Sequence, residues 1–342
     1  MEFSALGPAS AALYAASAPM TNGLVRLSAA DGDGIAVVLF DRPKKLNGWN
    51  PPMLRDFSQA LRVAADDVAT RAVIVTGSGK YYSAGAAFAE MIAAQMGFPP
   101  VASLLRLAEA ATYDIFETYI AFPKPLFAAV NGPAIGGGCT SLLHADVVVA
   151  SSRATFEAPF ARLGLPAEGC APVTFPARVG EAGARAMLVE GRRLDAAEAL
   201  ELGFVDVVAD DVWTSEGEGR NQVLRCERGP EALLETAKAE ARKWLAAPPE
   251  TRQRRPSDGK IEEFRKINRT EARTIARALL GKKFIDAQYR LAKSRGKPTL
   301  AWSVARALQP VLEKGDAALM ATLAAVVAVA LKGGFELAKL LQ

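Results

Sequence analysis

The sequence predicts an α/β fold with parallel strand pairing. Two observations carry the prediction. Four short apolar runs, 34–40, 71–76, 127–130 and 147–150, read as buried strands. Segments with helical spacing alternate with them, chiefly 53–65 and 101–121. Strands alternating with helices are the mark of parallel pairing.

The elements follow in chain order. The first run ends in a polar turn, 41–47. Pro51 and Pro52 stand where a first helical turn tolerates proline, so the helix over 53–65 starts there. The run 71–76 stops at Gly77-Ser78-Gly79, and residues 81–88 form a small-residue turn entering a helix. The helix over 101–121 stops before Pro123 and Pro125, because a residue preceding proline is pushed out of helical conformation. Residues 175–188 and 195–202 again have helical spacing. Asp195 is placed as an N-cap, with Glu198 three residues on to complete a capping box. A short strand is expected over 203–208. Residues 213–229 turn polar and glycine-bearing, which predicts a surface insertion. Residues 230–245 and 261–292 read as charged amphipathic helices, with the basic cluster 252–255 as a solvated linker between them. No repeat recurs at a fixed period.

The stretch from Phe127 to Glu168 organises the rest. An apolar run feeds the turn Asn131-Gly132-Pro133-Ala134-Ile135-Gly136-Gly137-Gly138, which opens a helix. Backbone N–H groups at such a junction are unpaired and can bind negative charge. The turn lacks the spacing of a dinucleotide fingerprint and the Gly-Lys-Ser/Thr ending of a P-loop. Glu168, in Leu165-Pro166-Ala167-Glu168-Gly169, lies beyond the next strand and can return to the same place.

Bulk properties narrow the function. The chain has 342 residues, one large domain or two modest ones, and is half hydrophobic, as a globular protein is. A net charge of +4 is too small a bias to argue for nucleic acid, though it tolerates an acidic ligand. Cys139, Cys170 and Cys226 are far apart, which fits a reducing compartment; Cys139 and Cys170 read as small apolar fillers. The one histidine, His144, reads as a packed core residue, and no His/Cys cluster has metal-ligand spacing. Residues 1–22 have no basic residue and read as a loosely packed arm rather than a leader. The chain does not end in a tripeptide of the peroxisomal type. The apolar run 317–331 is roughly 22 Å long as a helix at 1.5 Å per residue. A hydrocarbon core needs about 30 Å. A buried or oligomer-facing helix is therefore expected in preference to a membrane span.

Two turns in this order carry a resemblance. Ser83-Ala84-Gly85-Ala86 and Val130 through Cys139 resemble the two oxyanion turns of the crotonase family, the enoyl-CoA hydratases and isomerases. Residues 156–160 and 165–170, with Thr174-Phe175-Pro176, are similar to the Δ3,Δ2-enoyl-CoA isomerases of peroxisomes and mitochondria. The resemblance runs over about 22–298 and weakens after 211. It implies a spiral of ββα turns with a helical C-terminal region that builds trimers or hexamers. The chain then divides into an arm (1–21), a spiral core (22–211), a helical region opening with the polar insertion (212–298) and an extra helical tail (299–342).

The resemblance also implies chemistry. A CoA thioester that loses an α-proton becomes an enolate, and two N–H donors aimed at its oxygen stabilise the developing charge. By position the donors are the backbone amides of Ala86 and Gly137, the second aided by a helix dipole. Glu168 matches the isomerase base, taking a proton at C2 and returning it at C4. Hydratases of the family hold water between two glutamates; here Thr140 and Phe160 stand at those positions. Substrate contacts are expected from Ser83 and Ala84, from Phe160 and Leu165 along the acyl chain, and from Lys44 and Lys45 to the CoA phosphates, with Lys282 or Lys283 as further candidates. Ala87 stands where many relatives have an acid, which puts the aim of the first donor in question. No cofactor is expected, the acyl-CoA being substrate, and the compartment implied is peroxisome or mitochondrion. The competing expectation is a non-catalytic subunit on the same fold, joined to a larger assembly through the tail.

Overall fold

The structure, a computed structural model, describes residues 17–87, 101–209, 213–216, 223–226, 229–251, 258–279, 281–294 and 306. The first half runs β1 (Ser17–Pro19), β2 (Val25–Ser28), β3 (Ile35–Phe40), α1 (Pro51–Asp66), β4 (Ala72–Gly77), α2 (Val101–Ile120) and β5 (Leu126–Val130). The glycine-rich stretch follows as β6 (Ala134–Ile135) and α3 (Gly137–Thr140), then β7 (Val147–Ala150), β8 (Thr155–Glu157) and α4 (Phe160–Leu163). The rest is α5 (Ala171–Leu188), β9 (Leu194–Asp195), α6 (Ala196–Glu201), β10 (Val207–Val208), β11 (Trp213–Glu216), β12 (Val223–Cys226), α7 (Gly229–Ala246), α8 (Asp258–Ala278) and α9 (Lys282–Ser294).

The main sheet has the order β1-β2-β3-β4-β5-β7-β10. The pairs from β3 to β10 are parallel, and β1 and β2 are antiparallel additions at the edge. Every residue of β3 and of β5 is buried, because both faces of the sheet are covered. Alternate side chains divide between two cores. Val38, Phe40, Val73, Val75 and Ala128 pack with Met53 and Phe57 of α1 and Phe116 of α2. Ile35, Val37, Ile74, Phe127 and Val149 pack with Leu233, Ala237 and Ala241 of α7. A smaller sheet, β6-β8-β9, stands beside the first.

Local sequence sets several boundaries. Asn50 caps α1 by accepting the Met53 N–H (3.0 Å), with prolines in the first turn. The Asp195–Glu198 capping box opens α6 as expected. Other expectations shift. Only Val207–Val208 of the run 203–208 pairs as strand; Gly203 takes a left-handed φ of 74°, which turns the chain first. The continuous helix expected over 261–292 breaks at Gly281, whose N–H returns to Ala278 O, giving α8 and α9. Residues 213–216 and 223–226 pair antiparallel, so strands form within the polar insertion. The run 317–331, the cluster 252–255 and residues 1–16 lie outside the described residues.

α8 crosses α2 along its length. Arg265 pairs with Glu117 (2.8 Å), Arg273 pairs with Glu109 (2.9 Å), and the buried Asn268 donates to Tyr113 O (2.9 Å). At the other edge Asp56, fully buried in α1, accepts three N–H bonds: Asn22 backbone (2.9 Å), Asn22 Nδ2 (2.7 Å) and Leu24 backbone (2.9 Å). Removing the carboxylate strands those donors. Asp56→Ala is expected to cost about 2–3 kcal/mol in urea denaturation. A loss near zero would show that water replaces the carboxylate freely.

Candidate active site

Two short parallel bridges bring the small-residue turns together. Ser83 pairs with Ala134: the Ser83 N–H donates to Pro133 O (3.3 Å), and the Ile135 N–H donates to Ser83 O (2.9 Å). Trp49 pairs with Ala86. Here Trp49 donates to Gly85 O (2.8 Å) and accepts from the Ala87 N–H (2.8 Å). In such a bridge the flanking residues make the bonds, and the amide of the middle residue points the other way. The Ala86 N–H is therefore left to face outward from Trp49. Its direction is set by the Trp49 backbone, so the alanine at position 87 does not disturb it.

Gly137 is the first residue of α3, where helical N–H groups have no partner within the helix. A methyl group placed on Gly85 would lie 3.4 Å from the Gly137 nitrogen, so the two candidate donors sit on touching turns. The dipole expected to assist Gly137 is small, because α3 has four residues before a 3₁₀ turn, Ser141–His144. The second turn is braced from behind. Gly136 N–H donates to Glu157 O (2.8 Å), and the Glu157 carboxylate holds Arg162 and Arg193 (2.8 Å to the latter). Burial opposes its ionisation, but the two guanidiniums hold it below the usual carboxylate range.

Glu168 comes back to this place. A methyl group on Gly137 would lie 2.9 Å from Glu168 Oε1 and 2.6 Å from Trp49 Cζ3. The carboxyl thus lies directly over the Gly137 backbone, with the indole edge as a wall. Burial, then the charge of Glu271, pushes the Glu168 carboxyl up to about 8. The residues after Glu168 are held tightly. Gly169 and Cys170 have left-handed φ values of 71° and 59°. A side chain on Gly169 would meet Phe116 Cε1 at 2.5 Å. His144 Nε2 donates to Gly169 O (2.9 Å), and Glu271 Oε2 accepts the Cys170 N–H (2.8 Å). Burial drives the His144 ring down to about 4, so it is a neutral brace. Behind it a cavity of about 450 Å³ is lined by Tyr119, Leu142, Val173 and Phe264, and reaches neither Glu168 nor Gly137.

The other residues named from sequence are placed as follows. Ser83 is fully buried; its hydroxyl donates to Asn47 O (2.9 Å) and accepts from the Gly85 N–H (3.1 Å). Ala84 donates its N–H to Leu46 O (2.9 Å). Both residues spend these hydrogen-bonding groups on building the turn. Lys44 and Lys45 are exposed on the adjoining turn Pro43–Lys45. Asn47 ties that turn down through Ser78 O and Tyr81 O. Phe160 and Leu165 are buried with Phe284 and Ile285 of α9, beside the exposed Lys282 and Lys283. Cys139 and Cys170 are buried, and burial keeps both thiols protonated. Among the described residues no acidic, histidine or cysteine cluster could hold a metal.

Trp49 and Glu271 are the participants that the sequence reading missed; His144 is packed among aromatic rings as expected. Glu271 had a legible signal. It falls on the stripe Phe264, Asn268, Ala272, Ile275, which is the buried face of α8.

A family model described as enoyl-CoA hydratase/isomerase matches residues 30–272. Human "Enoyl-CoA delta isomerase 2" is 38% identical over 202 residues, 57% of this chain and 50% of that protein. Mouse "Enoyl-CoA delta isomerase 3, peroxisomal" is 36% identical, over 53% of this chain and 58% of that protein. Human "Chromodomain Y-like protein" is 35% identical, over 50% of this chain and 28% of that protein. The chain spans about half the length of the two isomerase relatives. The solved enoyl-CoA hydratase/isomerase from Pseudoalteromonas atlantica superposes with a TM-score of 0.59 at 24% identity, covering 80% of this chain and 98% of that one. The spiral fold implied by the resemblance is thereby shown.

Two outcomes follow from the geometry. Gly137→Ala must displace Glu168 or Trp49 and tilt an amide, so turnover of any enolate-forming substrate is expected to fall about 10²-fold. Unchanged turnover would mean the Gly137 amide takes no part. The second outcome concerns stability. Glu168 has a folded value of about 8 against 4.5 in the unfolded chain. Between those values the native state keeps a proton that the unfolded chain has released, so stability falls as pH rises through the window. Glu168→Gln removes that fall. By calorimetry, the Tm of the variant relative to wild type is expected to climb from pH 5 to pH 9; a constant difference would refute the burial of this carboxyl.

Proposed function

The chain belongs to the enoyl-CoA hydratase/isomerase family, and from that premise we propose that it moves the double bond of a 3-enoyl-CoA to the trans-2 position. The observation that carries this reading is the Glu168 carboxyl packed against Gly137, 2.9 Å from where a side chain there would begin. In the proposed reaction the thioester oxygen sits between the Ala86 and Gly137 N–H groups. Glu168, ionised, takes a proton from C2. The C2–H electrons move into the thioester, giving a dienolate whose oxygen the two amides stabilise. The same carboxyl then returns the proton at C4, leaving the double bond between C2 and C3. An acid whose proton affinity lies near neutrality suits both halves of that shuttle.

Isomerisation is favoured over hydration by two residues. Thr140 and Phe160, both buried, occupy the positions at which hydratases of the family carry acids. Glu271 does not replace them, since it is almost wholly enclosed and its Oε2 is bound to the Cys170 amide at the turn. The substrate is taken to be an unsaturated fatty acyl-CoA, handled without a cofactor, with Lys44 and Lys45 toward the CoA phosphates. A homotrimer or hexamer in a peroxisome or mitochondrion is proposed by family likeness. The second reading, motivated by the arm, the 213–229 insertion and the apolar tail of the sequence, is a subunit on this fold that does not turn over; co-purification with large partners and no turnover would support it.

The test is a coupled assay with a 3-enoyl-CoA. Glu168→Gln is expected to lose about 10²–10⁴-fold in kcat. In wild type kcat/KM should rise with pH toward about 8 as Glu168 ionises. Equal rates in the two proteins, or rapid hydration of a 2-enoyl-CoA, would overturn the proposal.

A further inference from the structure

We propose that Glu271 of α8 is a positioning residue for the Glu168 reaction: it clamps the turn after Glu168 by its backbone amides and presents an uncompensated negative charge to the site. The inference rests on the isomerase reading for its kinetic consequence, but its structural content stands apart.

The turn is built to receive an anion. Gly169 and Cys170 are consecutive left-handed residues. Successive N–H groups in such a run converge on one side and make a concavity for negative charge. Glu271 fills it: Oε2 takes the Cys170 N–H at 2.8 Å, and the Gly169 amide also favours the ionised form. Cys170 is the N-cap of α5 and has no side-chain cap, so a side chain distant in sequence does the capping. The residue that must be aimed, Glu168, stands two residues before the clamped Cys170 amide.

The other half of Glu271 has no conventional explanation. The residue is 9% exposed, and Oε1 is buried without a hydrogen-bond partner. Such an atom is costly and calls for a reason. The groups around it are few. Glu168 and the Cys170 thiol lie on the turn, and neutral His144 lies beyond Gly169. On α2 the acids Glu117 and Glu109 are already neutralised by Arg265 and Arg273 of α8. Among the described residues no lysine or arginine pairs with Glu168 or Glu271. Two acids thus share a buried space with no cation between them. One ionised acid holds the proton on the other. Burial pushes Glu271 up to about 7, while the Cys170 and Gly169 amides oppose that rise by favouring its ionised form.

The two roles separate by substitution. Glu271→Gln keeps an oxygen for the amides and removes the charge. Glu271→Ala removes both. The Glu168 side-chain carboxyl is followed by ¹³C NMR against pH, assigned by its loss in Glu168→Gln. In Glu271→Gln its midpoint is expected to fall by about one unit, and the rising limb of kcat/KM should move with it. In Glu271→Ala kcat is expected to drop about tenfold with KM little changed, and Gln should restore most of that loss. A midpoint unmoved by Glu271→Gln would overturn the electrostatic role, and a wild-type kcat in Glu271→Ala would overturn the clamp. Should wild type not isomerise while the midpoint still moves, the reaction assigned above fails and the coupling of the two acids stands.

Discussion

A side chain at position 137 would have to push its neighbours aside. Trp49 Cζ3 and Glu168 Oε1 already occupy the volume that a methyl group would need. This exclusion joins three distant parts of the chain: the loop before α1, the glycine turn opening α3, and the return loop before α5. Each must arrive with its backbone against the others. The way two amides are spared follows from ordinary strand pairing. Trp49 bonds to the neighbours of Ala86 and not to Ala86 itself, while Gly137 begins a helix and inherits that helix's unpaired end. No dedicated donor side chain is needed. The two candidate donors are what regular structure leaves over when two elements stop at the same point.

Elsewhere several acids face arginines, and buried Asp56 is met by three N–H donors. Glu157 is buried and held by two arginines; Asp206 pairs with Arg178; Glu117 and Glu109 face arginines across the α2–α8 contact. Glu168 and Glu271 have no such partners. Two buried, like-charged acids lower stability at neutral pH, and the chain keeps them with an orphaned oxygen and a pair of left-handed residues. Costs concentrated in this way mark a site whose geometry serves something other than stability. The surrounding packing tolerates them. Phe116 and Phe264 pack against His144, which is hydrogen-bonded to the loop at Gly169 O.

Much of this was legible before any coordinates. The runs 34–40, 71–76 and 127–130 read as strands because both faces of a parallel sheet demand apolar residues, and the Asp195 capping box is a local signal with a local cause. The two turns and Glu168 were legible by resemblance. What was not legible depends on contacts between residues far apart. The splitting of 261–292 into α8 and α9 turns on a single glycine, Gly281, inside an otherwise helical pattern. Strands as short as β6 and β8 have too few residues for a period to show. Ser83 looked like a ligand contact by its place in the motif, whereas its hydroxyl is consumed by Asn47, a pairing across the turn that no spacing rule reveals. Glu271 is the instructive case. Its place on the apolar stripe of α8 was visible, but its partner is the Cys170 amide a hundred residues away in sequence.

That partner also bears on which reaction the site favours. Activating water between two carboxylates requires both to turn free lone pairs toward one common, open volume. Glu271 has one oxygen bound into the backbone of the turn and is almost wholly enclosed, whereas the Glu168 carboxyl lies forward of it against Gly137. The two acids are therefore arranged in depth, one behind the other. A second acid placed behind the first cannot hold the nucleophile, but it can govern how tightly the first holds a proton. Moving a proton between two carbons of one substrate needs that control and needs no water. Depth, more than the number of carboxylates, separates a shuttle from a hydrating pair in a site whose amides would serve either.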